Sequence, residues 1–246
     1  IGQFIWSDWS DQYSALRTMI TIGKLRRYFP IYGRCGVAIP TAADSIIVLD
    51  FETTGLSPQQ GDRAIEIGAV KLHQGEVVDR FQSLMNPGFR VSGFIESYTG
   101  ISNNMLASAP PCAEVMTQFA DFIQGSNLLA HNASFDQRFL DGELERIERQ
   151  YAGHFACSLL VSRRLHQETA SHKLGDLVRY HNIETDGVFH RALADAEMTA
   201  HLWNVQLATL NDKYGIRQPS FELMAKIAKT PKASIDNLLR KIARAQ

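Results

Sequence analysis

Cysteine is scarce in this 246-residue chain: Cys35, Cys112 and Cys157 stand far apart, with no CxxC pair among them. Three widely spaced cysteines argue against a disulfide framework and against a thiolate zinc site, and we expect them to be reduced. Long apolar runs are missing as well. No window approaches the roughly 18 uninterrupted apolar residues of a membrane helix, so no membrane partner is expected. No signal peptide is visible, and with Ile1 in place of Met we expect the start of translation to lie elsewhere. These absences point to a cytoplasmic protein. Repeats and low-complexity tracts are absent, and net charge nearly so: 25 lysines and arginines stand against 26 acids. The balance is uneven. Residues 46–210 hold 20 acids and 12 bases, residues 1–45 hold 3 and 5, and residues 211–246 hold 3 and 8. An acidic middle is a poor passive binder of nucleic acid, so any phosphate chemistry there needs cations or a local basic patch.

What is present is an ordinary globular composition, 45% apolar and 21% charged, in three parts. Residues 1–44 read as a helical and linker extension. Trp6, Trp9, Tyr13, Leu16 and Ile20 share one helix face, Lys24, Arg26 and Arg27 suit its C-terminal end, and Pro30, Gly33, Gly36 and Pro40 mark a linker. Residues 45–210 open with strand-like runs at 45–50, 64–72 and 77–84, the last two joined by a hairpin turn at His73-Gln74-Gly75-Glu76. Helical patterns follow at 113–124, from a cap at Ser134 to about Arg149, and near 158–166, 173–181 and 191–210, with a short strand at 127–130. Strands first, then alternation with helices, predicts an α/β domain on a mixed sheet. Residues 211–246 read as a basic helical extension. A helix covers 221–229, Thr230 caps the next with Pro231 at its first position, and Ile235, Leu238, Leu239 and Ile242 form an apolar stripe closed by Arg240, Lys241 and Arg244.

The chemistry concentrates in three short clusters. In IIVLDFETTGL, residues 46–56, strand alternation points Asp50 and Glu52 the same way and Phe51 the other. Two adjacent carboxylates repel, so they need a use or a counter-charge. HNASFD, residues 131–136, places Asp136 in the first turn of a helix entered directly from a strand. HRALAD, residues 190–195, opens a further helix. Five helical residues rotate through about 140°, so His190 and Asp195 converge only if His190 precedes the helix.

The three clusters, in this order and context, resemble the DEDDh exonucleases, the superfamily of the proofreading epsilon subunit of bacterial DNA polymerase III. AIEIGAVKL at 64–72, YTGI at 98–101 and HKLGDL at 172–177 add to the resemblance, which covers about residues 45–210. It implies a ribonuclease H-like mixed central sheet flanked by helices, with the helical extensions outside it. It implies a 3′→5′ exonuclease using two divalent ions, Mg²⁺ or Mn²⁺, held by Asp50, Glu52, Asp136 and Asp195, with His190 as general base for the attacking water. Hard cations suit carboxylate oxygens, and two of them can serve an in-line phosphoryl displacement. The resemblance further implies that Thr53, Thr54 and Leu56 line the 3′-terminal nucleotide and that Asn132 and Phe135 contact the strand behind it. Glu66, in an apolar strand, either hydrogen-bonds near the site or faces solvent. Single-stranded or frayed DNA 3′ ends are the expected substrate. An exoribonuclease of the ribonuclease T kind is the alternative, and a non-catalytic nucleic-acid-binding or polymerase-associated subunit a third reading. The terminal helices are expected to dock on the core, on a polymerase or on a second copy.

Overall fold

The β-branched run at 46–49 suits a pleated surface covered on both faces. In the computed structural model, which describes residues 39, 41–185 and 191–245, it forms β1 (Ile47–Thr53), three residues longer at its C-terminal end than expected. β2 (Ala64–His73) and β3 (Glu76–Leu84) follow as an antiparallel hairpin. Gln74 and Gly75 have φ of 54° and 82° between the paired His73 and Glu76. Two positive φ values make a two-residue turn whose twist matches that of the strands. β4 (Leu128–Ala130) and β5 (Phe155–Cys157) complete a sheet of order β3-β2-β1-β4-β5. β1 runs antiparallel to β2 and parallel to β4, and β4 runs parallel to β5. This is the expected mixed sheet.

Alternation along β1 and β2 sends side chains to two cores. Ile46, Val48, Val70 and Leu72 pack on one face with helices α5 (Ser158–Leu165), α7 (Ala192–Tyr214), α8 (Phe221–Lys229) and α9 (Ile235–Ala243). Ile47, Leu49, Phe51 and Ile67 pack on the other with α3 (Cys112–Phe122) and α4 (Ser134–Arg146). A smaller cluster of Ile65, Val91, Ile101 and Leu106 seats α1 (Gly93–Thr99) and α2 (Asn103–Ala107), and α6 (Leu174–Tyr180) lies against α7.

Two expected caps are corrected. Ser134 is the first residue of α4, whose cap position is Ala133. Thr230 ends α8, with its hydroxyl donating to the Lys226 carbonyl at 2.8 Å, and Pro231 caps a short 3-10 turn at Lys232–Ser234. The proline still separates the two helices, because it cannot continue α8. The expected stripe on α9 is used: Ile235 and Leu239 are buried, and Leu238 and Ile242 pack beside them, all against the sheet's core. Full burial of a side chain such as Ile235 or Leu239 contributes about 1.5–3 kcal/mol. Across the chain, Phe221 N–H donates to the Thr41 carbonyl at 2.7 Å and Trp203 Nε1–H to the Ala43 carbonyl at 2.7 Å. The apolar face expected at Trp6–Ile20, the linker residues Pro30, Gly33, Gly36 and Pro40, and Cys35 lie outside the described residues.

Candidate active site

Asp50 and Glu52 project from β1 toward the α7 face, the side that Val48 and Val70 share. Across the β1–β2 register, Asp50 is paired with Gly68 and Glu52 with Glu66. Gly68 is where α7 lands. A methyl group there would lie 2.0 Å from the Leu193 nitrogen and 2.2 Å from the Ala192 carbonyl carbon, so only glycine lets the helix approach this close. The helix starts at Ala192, which puts Asp195 in its first turn beside the strand acids. Carboxylate oxygens of Asp50, Glu52 and Asp195 lie within 4.8 Å of one another.

Asp136 arrives from the opposite face, buried in the first turn of α4. One of its oxygens accepts the Phe51 N–H at 3.2 Å, between the two strand acids. α4 is itself tied to the start of β2. Arg63 donates to both oxygens of buried Glu143, Nε at 2.7 Å and Nη2 at 2.8 Å, and Ala64 N–H adds a third bond at 3.3 Å. Such bidentate pairs fix orientation as well as distance.

Of the two expectations for Glu66 the first holds: it does not face solvent but is fully buried and hydrogen-bonds beside the site. Its carboxylate accepts from Arg191 Nη2 at 2.8 Å and Nε at 3.2 Å, from Gln82 Nε2 at 3.0 Å and from Ala192 N–H at 3.3 Å. Neither Arg191 nor Gly68 stood out in the sequence. The available signal was the alternation of β2, where a glutamate and a glycine occupy the face that Val70 and Leu72 make apolar.

Burial first, and neighbouring like charges second, push the acids toward protonation. Asp50 is raised well above the usual carboxylate range by burial and then by Asp136, Asp195, Glu52 and Glu66. Glu52 is pushed up to about 7 by burial, Asp195 and Glu66, against the opposing charge of Arg191. Burial pushes Asp136 up to about 8, with the Phe51 N–H pulling the other way. Ligand oxygens on one octahedral Mg²⁺ are about 3 Å apart in cis and about 4 Å in trans. Three hard oxygen donors within 4.8 Å of one another therefore fit a divalent cation.

The turn after β1 is stiff. The Thr53 hydroxyl donates to the Gly55 carbonyl at 2.7 Å, and the Thr54 hydroxyl donates to Asp62 at 3.2 Å while accepting the Arg63 N–H at 3.0 Å. The same Asp62 accepts the Ser57 N–H at 2.9 Å. With both hydroxyls engaged, the turn presents Leu56, which is 75% exposed. Asn132 is exposed in the left-handed region at φ 71°, and Phe135 is half-buried against Phe139. His131, in the same cluster, is structural. One ring nitrogen meets the Ser158 hydroxyl at 2.8 Å and the other the His172 carbonyl at 2.9 Å. Burial holds it neutral, with its pKa lowered to about 4. His190 lies outside the described residues.

A family model described as exonuclease matches residues 47–203. The chain is 36% identical over 174 residues to the PolC-type DNA polymerase III of Caldanaerobacter subterraneus subsp. tengcongensis, covering 71% of this chain. It is 39% identical over 158 residues to that of Staphylococcus aureus, covering 64% of this chain. It spans only 12% and 11% of the length of these polymerases. Among solved structures, it is similar to Exonuclease X in complex with 5′ overhanging duplex DNA, with a TM-score of 0.59, 26% identity, and coverage of 74% of this chain and 99% of that one. The nuclease domain of 3′hExo, a DEDDh family member bound to rAMP, shares the ribonuclease H-like fold at a TM-score of 0.57 and 22% identity, over 72% of this chain and 96% of that one. The chain belongs to the exonuclease family.

Proposed function

We propose that this chain is a divalent-cation-dependent 3′→5′ exodeoxyribonuclease that hydrolyses phosphodiester bonds at single-stranded or frayed DNA 3′ ends. The convergence of Asp50, Glu52 and Asp195 within 4.8 Å, in a member of this family, carries the reading. DNA as substrate is supported by the likeness to PolC-type DNA polymerases and to Exonuclease X with duplex DNA. Asp50, Glu52, Asp195 and Asp136 would hold Mg²⁺ or Mn²⁺, two ions in this reading, which supply positive charge to acidify water and to stabilise the leaving oxygen. Asp50, which feels the charges of Asp136, Asp195 and Glu52, would serve both ions. Asp136, fixed by the Phe51 N–H, would serve the side away from Asp195. His190 takes the proton of the attacking water, a task suited to an imidazole with an ordinary pKa near 6.5. Thr53 and Thr54 shape the turn that holds Leu56 against the terminal base, and Asn132 and Phe135 bear on the strand behind it. Residues 45–210 form the catalytic domain, and residues 1–44 and 211–246 flank it. Lys226, Lys229, Lys232, Arg240, Lys241 and Arg244, all exposed on or beside α8 and α9, offer a basic surface to the nucleic-acid backbone.

The test is hydrolysis of matched DNA and RNA oligonucleotides labelled at the 5′ end, with Mg²⁺ or Mn²⁺ and with chelator. DNA is expected to shorten from its 3′ end only when cation is present. Asp50→Ala and Asp195→Ala should abolish this in folded protein, and His190→Ala should cost about 10²–10⁴-fold with cation binding intact. Preference for RNA would reassign the substrate class. Undiminished turnover in Asp195→Ala would refute the mechanism.

A further inference from the structure

We propose that Glu66 and Arg191 are positioning residues for the reaction: their ion pair sets where Asp195 stands relative to Asp50 and Glu52, and so how tightly the cage closes on a cation. This rests on the reading above, in which Asp195 is a ligand.

Glu66 is a charge at zero exposure in a strand of apolar neighbours. Burying a carboxylate costs several kcal/mol unless it is paired and hydrogen-bonded. Here three groups satisfy it, and two of them, the Arg191 guanidinium and the Ala192 N–H, are the cap and first residue of α7. The third, Gln82, comes from β3 and steadies the carboxylate from the far side. The anchor points are telling. Glu66 faces Glu52 across the register, and Asp195 lies one turn along the helix that Arg191 opens.

A role in stability alone does not account for the pair. α7 is already docked by Met198, Leu202, Trp203 and Leu210, all buried, and a buried ion pair adds little net stability over an apolar contact of the same shape. What it adds is direction. An apolar contact lets a helix end slide, whereas a guanidinium–carboxylate fork fixes distance and angle. The guanidinium also places a positive charge near Glu52. Three carboxylates with oxygens within 4.8 Å of one another would otherwise drive the helix end away from the strand when no cation is bound. The pair holds the first turn of α7 in place against that repulsion.

The test uses the full chain with Arg191→Met, Arg191→Lys, Glu66→Gln and the double variant Glu66→Gln/Arg191→Met. Three quantities are read: Mn²⁺ affinity by titration calorimetry without substrate, kcat and KM on a DNA oligonucleotide, and melting temperature. Arg191→Met is expected to weaken Mn²⁺ binding and to lower kcat by roughly 10–100-fold each, the usual effect of removing a partner that orients a ligand, with KM little changed. Arg191→Lys should recover part of the loss, and the double variant should be no worse than Arg191→Met. If Arg191→Met fails to fold, Arg191→Lys and Glu66→Gln carry the same comparison. Wild-type Mn²⁺ affinity and kcat in the folded variants, losses that add in the double variant, or a loss that only follows the unfolded fraction would overturn the proposal. Failure of the wild-type protein to bind Mn²⁺ would instead overturn the reading of the cage.

Discussion

A methyl group at Gly68 tests the geometry of the site more directly than the removal of any acid. The atoms it would meet are backbone, the Leu193 nitrogen at 2.0 Å and the Ala192 carbonyl carbon at 2.2 Å, and backbone cannot rotate away as a side chain can. Ordinary contact begins at 3.4 Å, so the first turn of α7 must retreat by 1.4 Å or β2 must bend by as much. Asp195 rides on that turn, while Asp50, opposite Gly68, stays on the sheet. Metal–ligand distances tolerate only about 0.2 Å, and a misplacement of about 1 Å can cost a catalytic step about 10²-fold. Overpacking of this kind costs about 1–3 kcal/mol of stability, worth roughly 2–12 °C in melting temperature for a chain of this size. Gly68→Ala should therefore be folded at 25 °C, lose about 10²-fold or more in kcat, and need much more Mn²⁺ for half-maximal activity. Gly153→Ala is the control. Its methyl would meet the Ser126 carbonyl oxygen at 1.8 Å, a worse clash, but just before β4 and β5 begin, at the end of the sheet away from the acids. It should lose stability without the change in cation dependence. If Gly68→Ala keeps kcat within threefold of wild type, or if Gly153→Ala shifts the Mn²⁺ requirement equally, the seat of α7 does not set the cage.

Other consequences are open to measurement. Glu52 and Asp136 are raised from 4.5 and 3.8 to about 7 and about 8, so the cation-free folded protein holds protons that the unfolded chain has released. That contribution is present below pH 4 and lost as pH rises through 7 and 8. Melting temperature in chelator should therefore fall from pH 6 to 9, and the gain from Mg²⁺ should widen over the same range; a constant gain would contradict the raised values. His131 and His166 are lowered from 6.5 to about 4, so their contribution is lost as pH falls from 6.5 toward 4, and His131→Asn should flatten that acid limb, as thermal melts would show. Neutralising Lys226, Lys229, Arg240 and Lys241 with glutamine should weaken single-stranded DNA binding and reduce its salt slope by about 0.7 for each phosphate no longer neutralised, with kcat at saturation unchanged; an unaltered slope would remove this face from the binding surface.

The sequence carried the parts of the fold that are written locally. The run 46–49, short and rich in β-branched residues, reads as a buried strand, and Gln74-Gly75 between two alternating runs has the chemistry of a tight hairpin turn. Both appear where expected, within a few residues. Ser134 misled because Ser is a common cap, yet here the chain enters α4 from Asn132 at φ 71° and the cap position passes to Ala133. Thr230 misled for the related reason that a hydroxyl can close the helix before it as well as open the one after. The stripe on α9 was legible as a face but not as a destination, since nothing local says that Leu239 meets the core that holds Trp203. The joints of the site were the least legible. Arg63 and Glu143 are 80 residues apart, and Arg191 and Glu66 are 125 apart. Spacing rules do not reach that far.

β2 contributes none of the acids assigned to the cage, yet the elements that carry them are referenced to it. β1, with Asp50 and Glu52, is in register with it from Ile47 to Glu52, where the pairing shifts. α4, with Asp136, is forked to it through Glu143 and Arg63, and α7, with Asp195, through Arg191 and Glu66. Glu66 lies on a strand held between two others, and Arg63 immediately precedes that strand, whose first N–H, at Ala64, also bonds Glu143. Four mutually repelling carboxylates do not assemble by attraction; each must be held by something else, and the work needed to bring them together comes from bonds made several ångströms behind them. This explains why the two buried glutamates outside the cage, Glu66 and Glu143, are each paired with arginine. It also separates the two kinds of substitution. Loss of a cage acid removes a ligand and relieves repulsion, so the cation-free fold should hold or gain stability. Loss of Arg63 or Arg191 leaves a buried carboxylate without its partner, which costs about 3–5 kcal/mol before any chemistry is considered.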